Sequence, residues 1–324
     1  MSAHPNGVAF VFPGQGSQSL GMLSELAKTY PLVNAIFDDV SDTLGYDLWR
    51  LTQEGPLAQL NETEFTQVAL LVADVCVFRV LQQKGLNPAV LAGHSLGEYA
   101  ALVCADAIHL NDAAQLVRSR GQLMQSTVPL GRGAMAAVVG LTDSQVNALC
   151  IEVSTATEKV TPANYNALGQ VVVAGDTKAV ERLIVAAEQN DARLAKVIPV
   201  SVPCHCDLLK PAAEAFETIL QTVSFEQPRW PVISNVTVAP YTSIQSMRTL
   251  LAEQLYSPVR WVDTIQLMKA QGVSLVIECG PGKVLSGLIK RIDKSLQTMS
   301  VNDPQSVDDA LRVLSPVLKE ESYE

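Results

Sequence analysis

Short apolar runs that stop abruptly at glycine, with helical patterns between them, constrain this chain most. Val8 to Phe12 ends at Pro13-Gly14-Gln15-Gly16, residues 89–92 end at Gly93, and residues 273–279 end at Gly280-Pro281-Gly282. A strand that is apolar on successive residues needs cover on both faces, as in a parallel sheet between helices. Helical patterns at 18–28, 31–44, 62–84, 96–103 and 111–126 supply that cover. The pattern predicts an α/β fold with a parallel-sheet core.

The rhythm changes in the middle. Strand patterns at 134–141, 159–165, 170–174 and 194–200 alternate with helices at 142–153 and 177–189. The order β-α-β-β-α-β is the ferredoxin-like unit. Gly131 and Gly133 border it on one side and Pro199 to Pro203 on the other. The expected organisation is a ferredoxin-like subdomain over 132–199, inserted into a discontinuous larger domain of 1–131 and 200–324. After the insertion, helices at 206–223 and 249–256, a strand at 232–236 and a helix from Gly282 to about Lys294 complete the larger domain. Residues 319–324 are charged and predict a frayed end.

Composition excludes several classes. The 324 residues carry 23 basic and 33 acidic side chains, a net charge of −10. A nucleic-acid-binding protein would show a basic footprint. The polar stretch at 1–7 has no signal-peptide pattern. Residues 68–81, the longest apolar helical stretch, are too few to cross a bilayer and include Asp74 and Arg79. The six cysteines are scattered without CxxC spacing, and Cys204-His205-Cys206 is too tight for an ordinary zinc site. Reduced thiols in a cytoplasmic protein are expected, with no metal, no nucleic acid and no membrane.

Gly93-His94-Ser95-Leu96-Gly97 matches G-x-S-x-G, the nucleophile elbow, in which a serine sits on a sharp strand-to-helix turn. Roughly 0.1 chance matches are expected at average Gly and Ser usage. The preceding buried strand and following helix strengthen the match. Ser95-Leu96-Gly97-Glu98 also reads as a capping box, so Ser95 could instead cap the next helix. A serine nucleophile needs a base. Of four histidines, His205 lies where the chain returns from the insertion to the larger domain, a place for an interdomain cleft. His4, His94 and His109 are less well placed, and His205 remains by elimination. Acids between Ser95 and His205, such as Glu152, Asp176 and Glu181, read as solvated surface. A Ser-His dyad with a neutral acceptor behind His205 is therefore expected.

The turn around Gln15 departs from G-x-G-x-x-G, because Ser19 stands where the third glycine should be. Either it is a plain turn, or it aims the Gln15 N–H at the elbow, where with the Leu96 N–H it would form an oxyanion hole. Arg120 either reaches solvent or points into the cleft, where its planar fork could bind a carboxylate.

These residues together resemble the bacterial malonyl-CoA:acyl carrier protein transacylases over nearly the whole chain. The matching stretches are Phe10-Val-Phe-Pro-Gly-Gln-Gly-Ser-Gln18, Ala92-Gly-His-Ser-Leu-Gly-Glu-Tyr99, Arg120-Gly-Gln-Leu-Met124, Asn164-Tyr-Asn166, Val200-Ser-Val-Pro-Cys-His205, Gln254-Leu-Tyr-Ser-Pro258 and Gly280-Pro-Gly-Lys283. The resemblance implies a hydrolase-like core with a ferredoxin-like subdomain. It implies ping-pong transfer of malonyl from CoA to the phosphopantetheine thiol of acyl carrier protein, through Ser95, without a cofactor. His205 would be the base, and the Gln254 main-chain carbonyl its acceptor. Gln15 and Leu96 would hold the oxyanion, and Arg120 the malonyl carboxylate. Cys204 stands where the family often has another small residue, and its nearness to His205 makes it a possible oxidation site. Rival readings are a polyketide or malonate-decarboxylase acyltransferase, a serine thioesterase, and a binding module that keeps the fold.

Acyl carrier proteins are typically acidic, so an acidic chain needs a local basic face to dock one. At 100° per residue Lys283, Lys290 and Lys294 share a helix face, with Arg291 at its margin and Leu285, Leu288, Ile289 and Ile292 opposite. That face is either a docking surface or plain solvated charge.

Overall fold

The computed structural model describes residues 7–199 and 202–320. His4, Val200, Ser201 and the last four residues lie outside the described residues.

The N-terminal half starts with strand β1 (Val8–Phe12) and helices α1 (Ser24–Thr29), α2 (Leu32–Leu44), α3 (Leu48–Glu54), α4 (Leu57–Leu60) and α5 (Thr63–Gln83). Strand β2 (Val90–Gly93), α6 (Gly97–Cys104) and α7 (Leu110–Thr127) follow. Helix α1 starts six residues later than its pattern suggests. Gly21 and Leu23 have left-handed φ of 79° and 60°, which no helix can absorb.

The middle segment runs β3 (Gly133–Val139), α8 (Asp143–Val153), β4 (Val160–Ala167), β5 (Gln170–Asp176), α9 (Thr177–Gln189) and β6 (Leu194–Val197). The chain ends with α10 (Lys210–Thr222), β7 (Val232–Ile233), α11 (Ile244–Glu253), α12 (Trp261–Ala270), β8 (Leu275–Cys279), α13 (Val284–Ile292), β9 (Gln297–Val301) and α14 (Pro304–Glu320).

Two sheets result. The larger is parallel throughout, in the order β7-β2-β1-β8-β9. Side chains alternate along β1 and feed two cores. Phe10 and Phe12 pack with Phe78 of α5 and Ile277 of β8 on one face. Ala9 and Val11 pack with Trp261 and Ile265 of α12 and Ile289 of α13 on the other. Each large apolar side chain so buried contributes about 1.5–3 kcal/mol relative to exposure. The burial of α5 on nearly all sides follows from its place among α2, α6 and α7, with β8 beneath it.

The smaller sheet is antiparallel, in the order β4-β5-β3-β6. Val138, Val171 and Val173 pack under Val146 and Leu149 of α8 and Val180 and Leu183 of α9. The other face turns Met135, Ala163, Val172 and Ala174 toward Cys206 of the larger unit. Val259, just before α12, ties that segment to β4: its N–H donates to Ala163 (2.8 Å), and its carbonyl accepts from Tyr165 (2.9 Å). The mixed α/β reading and the separate antiparallel sheet thus match the sequence pattern.

Several element ends differ from their patterns. The helix expected at 206–223 begins as a single 3-10 turn, and α10 starts at Lys210. Helix α13 stops at Ile292, so Lys294 lies beyond it rather than on its basic face. Among the described residues no helix is long and apolar enough to cross a membrane.

Candidate active site

Ser95 sits between β2 and α6 with φ of 52°, the left-handed region that costs a non-glycine residue energy. The elbow closes because Gly93 and Gly97 touch: a Cβ on Gly93 would fall 1.8 Å from the Gly97 carbonyl carbon. Asn235, just after β7, braces the turn. Its Oδ1 accepts from the Ser95 N–H (2.8 Å) and its Nδ2 donates to the Gly93 carbonyl (2.7 Å). The capping box does not form, because Glu98 turns away from the Ser95 N–H into the protein.

His205 is 3% exposed and also left-handed, with φ of 60°. Its Nε2 lies 2.8 Å from Ser95 Oγ, and its Nδ1 lies 2.8 Å from the Gln254 main-chain carbonyl. That carbonyl can only accept, so Nδ1 carries the proton and Nε2 is left to accept one from the serine. Burial, helped by the charge of Arg120, pushes the imidazole down to about 3. It is neutral at physiological pH and able to take a proton. No carboxylate stands behind it; the acceptor is neutral.

Arg120 points inward from α7 and is 1% exposed. Its Nη1 donates to Gln67 Oε1 (2.8 Å), and its Nη2 to Gln254 Oε1 (2.9 Å) and Ser95 Oγ (3.1 Å). Its Nε has no partner, and among the described residues the guanidinium makes no ion pair. A buried cation hydrogen-bonded to neutral amides and a hydroxyl, over the Tyr99 ring (5.4 Å), is a ready partner for a carboxylate.

Gln15 and Leu96 line the same cavity of about 240 Å³ as Ser95, Arg120 and His205. The Gln15 turn presses against the elbow: a Cβ on Gly14 would come within 2.5 Å of the His94 carbonyl oxygen. Among the described residues neither the Gln15 nor the Leu96 N–H donates to a protein acceptor. Met135 of β3, Val172 of β5 and Ile198 just after β6 line the cavity as well.

Several contributions escaped the sequence reading. His94 does not simply turn aside: its Nε2 lies 2.8 Å from Asn166 Oδ1, tying the elbow to β4. Gln67 is an amide at the head of the apolar run of α5, and Asn235 a lone amide at the end of an apolar run; both were visible as misfits. Glu98 and its Tyr241 partner form a buried polar pair that only the fold brings together. Cys204 is the least buried cysteine. Burial pushes its thiol up to about 11, which disfavours the thiolate that oxidation needs. Lys283, Lys290 and Lys294 are exposed, whereas Arg291 donates to Gln170 Oε1 of β5 (2.7 Å).

Residues 9–307 match the family model described as the acyl transferase domain. The malonyl CoA-acyl carrier protein transacylase of Escherichia coli (strain K12) is 49% identical over 306 residues, 94% of this chain and 99% of that protein. The crystal structure of an acyl carrier protein S-malonyltransferase from Vibrio cholerae superposes with a TM-score of 0.92 at 51% identity, covering 94% of this chain and 99% of that one. A malonyl-transacylase solved in complex with its type II PKS acyl-carrier protein superposes equally well, with a TM-score of 0.92 at 48% identity and coverage of 94% and 99%. The chain belongs to the acyl transferase domain family, within its malonyl CoA-acyl carrier protein transacylase branch.

Proposed function

We propose that this chain moves a malonyl group from CoA to the phosphopantetheine thiol of acyl carrier protein, by way of a malonyl ester on Ser95. The observation that carries the proposal is the buried guanidinium of Arg120, which makes no ion pair among the described residues and donates to Ser95 Oγ at 3.1 Å. A malonyl thioester places a free carboxylate near its reacting carbonyl. A cation beside the serine selects that carboxylate and holds the carbonyl against the hydroxyl.

In the first half-reaction Ser95 Oγ attacks the thioester carbonyl as its proton passes to His205 Nε2. The N–H groups of Gln15 and Leu96 take the developing oxyanion. The intermediate collapses, the C–S bond breaks, and His205 returns the proton to the CoA sulfur. In the second half-reaction the carrier thiol gives its proton to His205 and its sulfur attacks the ester. The C–O bond breaks, and His205 reprotonates Ser95. The residues need no metal or bound cofactor for these steps.

The reading extends to architecture. A hydrolase-like core of residues 1–131 and 200–324 supplies Ser95, His205, Arg120 and Gln254. A ferredoxin-like subdomain of residues 132–199 supplies further lining residues; its strand order and its two helices on one face support that description. Helix α13 lines the cavity with Val284, Leu285 and Leu288 and exposes Lys290 and Arg291. The basic side chains lie on the face opposite Leu285 and Leu288, with Lys283 and Lys294 at either end, and their charge alone supports carrier-protein docking there.

The test is product partition. Given malonyl-CoA and holo acyl carrier protein, the chain should yield malonyl-carrier with little free malonate. Free malonate as the main product would make it a thioesterase instead.

A further inference from the structure

Glu98 lies on the first turn of α6, three residues beyond Ser95, and is wholly buried. Its carboxylate collects donors from three directions. The Tyr241 hydroxyl donates to Oε1, Gln254 Nε2 donates to Oε2 (2.5 Å), and the Asn235 N–H reaches both oxygens (3.3 Å each). Gln254 is wholly buried as well, and every polar atom of its side chain is used. Nε2 donates to Glu98 and to the Ser95 carbonyl (3.0 Å), while Oε1 accepts from Arg120 (2.9 Å). Its main-chain carbonyl meanwhile receives His205 Nδ1.

Resting on the acyl-transfer reading, we propose that Glu98 is a positioning residue. Its carboxylate fixes the Gln254 amide, so that this one residue holds the Arg120 guanidinium with its side chain and His205 with its backbone. The reason is the asymmetry of an amide. Rotated by half a turn, Gln254 would aim Nε2 at a guanidinium and Oε1 at a carboxylate, both unfavourable. An anion at position 98 joins the Arg120 guanidinium and the Ser95 carbonyl in fixing the observed orientation. Protonating Glu98 turns one acceptor oxygen into a donor, so the donors around it must rearrange.

The titratable and charged groups facing Glu98 are Tyr241 from the loop after β7, Arg120 from α7 and Tyr99 beside it on α6. His205 reaches it only through Gln254. Burial pushes Glu98 up to about 7, opposed by the bonds from Tyr241, Gln254 and Asn235 and by the charge of Arg120. An acid limb near 7 in serine acylation is therefore expected, far above that of His205.

The experiment measures acylation of Ser95 against pH in the wild type, Glu98→Gln and Tyr241→Phe, with malonyl-CoA and acetyl-CoA. The same profile is measured with a sulfonyl fluoride that labels Ser95 without a carboxylate. Glu98→Gln should lose roughly ten- to hundredfold on malonyl-CoA, lose less on acetyl-CoA, and lose the acid limb. Tyr241→Phe removes a donor that favours the carboxylate, so its limb should move to higher pH. An unchanged rate and limb in Glu98→Gln would overturn the proposal. So would equal losses on both thioesters with the limb unmoved, which would mark a merely structural role. If Glu98→Gln does not fold, the direction of the Tyr241→Phe shift decides. A wild type that malonyl-CoA does not acylate would defeat the transfer reading alone. The sulfonyl fluoride profiles would still decide on Glu98.

Discussion

Ser95 and His205 both hold left-handed backbone angles, φ 52° and 60°, and their side chains meet at 2.8 Å. Each such angle costs a non-glycine residue on the order of 1–3 kcal/mol. The Asn235 brace at the elbow and the His205 N–H bond to the Leu255 carbonyl (3.0 Å) hold the two turns in place. Leu23, Asp106, Asp191 and Val238 share such angles elsewhere; within the site they fall on the two residues whose side chains converge.

That pairing predicts the behaviour of His205→Ala. Without an acceptor for the serine proton, acylation should slow by roughly 10²–10⁴-fold. The wild-type imidazole, held down to about 3, stays neutral through mildly acidic pH. Its own protonation should not limit acylation there. Stopped-flow acylation across pH checks both statements, and normal acylation of His205→Ala would remove it from the reaction.

Arg120→Ala tests selectivity. Losing one partner of a buried ion pair costs about 3–5 kcal/mol. At about 1.4 kcal/mol per tenfold, malonyl-CoA should lose roughly two to three orders of magnitude in kcat/KM. Acetyl-CoA, which has no carboxylate, should lose far less. Equal losses on the two substrates would assign Arg120 to structure.

Asp74, midway along α5, is fully buried, and among the described residues neither carboxyl oxygen has a hydrogen-bond partner. Burial raises its carboxyl well above the ordinary 3.8, and the neighbouring Glu278 raises it further. Folding therefore favours the protonated form. The contribution is complete below the ordinary carboxylate value and is lost as pH rises toward the folded value. Relative to wild type, Asp74→Asn should gain Tm steadily from acid to neutral pH. Parallel Tm curves for the two proteins would show that Asp74 does not titrate on unfolding.

Docking through the basic face of α13 predicts a split effect. Reversing charge with Lys290→Glu and Arg291→Glu should raise KM for acyl carrier protein, and most at low salt. Acylation from malonyl-CoA should change little. The Arg291 bond to Gln170 is solvent-exposed and contributes little itself. Unaltered transfer to the carrier would place docking on another surface.

The larger sheet was legible because its strands are continuously apolar, as Val8–Phe12 shows, and a strand covered on both faces leaves that mark. Strand β9 was missed because Gln297–Val301 is a partly exposed edge with no apolar run. Helix α12 was missed although Trp261 and Ile265 carry a helical stripe, because Pro258 just before it reads as loop. In the site, Ser95 was legible from its turn and His205 from scarcity among four histidines. The direction of Arg120 was not legible, since only packing decides whether a long cationic side chain turns in or out. Glu98 was hidden by a false local match: its spacing from Ser95 suggested a cap, while its partners Tyr241 and Gln254 lie more than a hundred residues away.

The central claim is a malonyl group carried on Ser95, and intact mass with peptide mapping tests it most directly. Mixed with malonyl-CoA and no carrier protein, the wild type should gain one malonyl group, located on the peptide containing Ser95 and absent in Ser95→Ala. Addition of holo acyl carrier protein should then remove it. An unmodified wild type, or a label that persists in Ser95→Ala, would contradict the account.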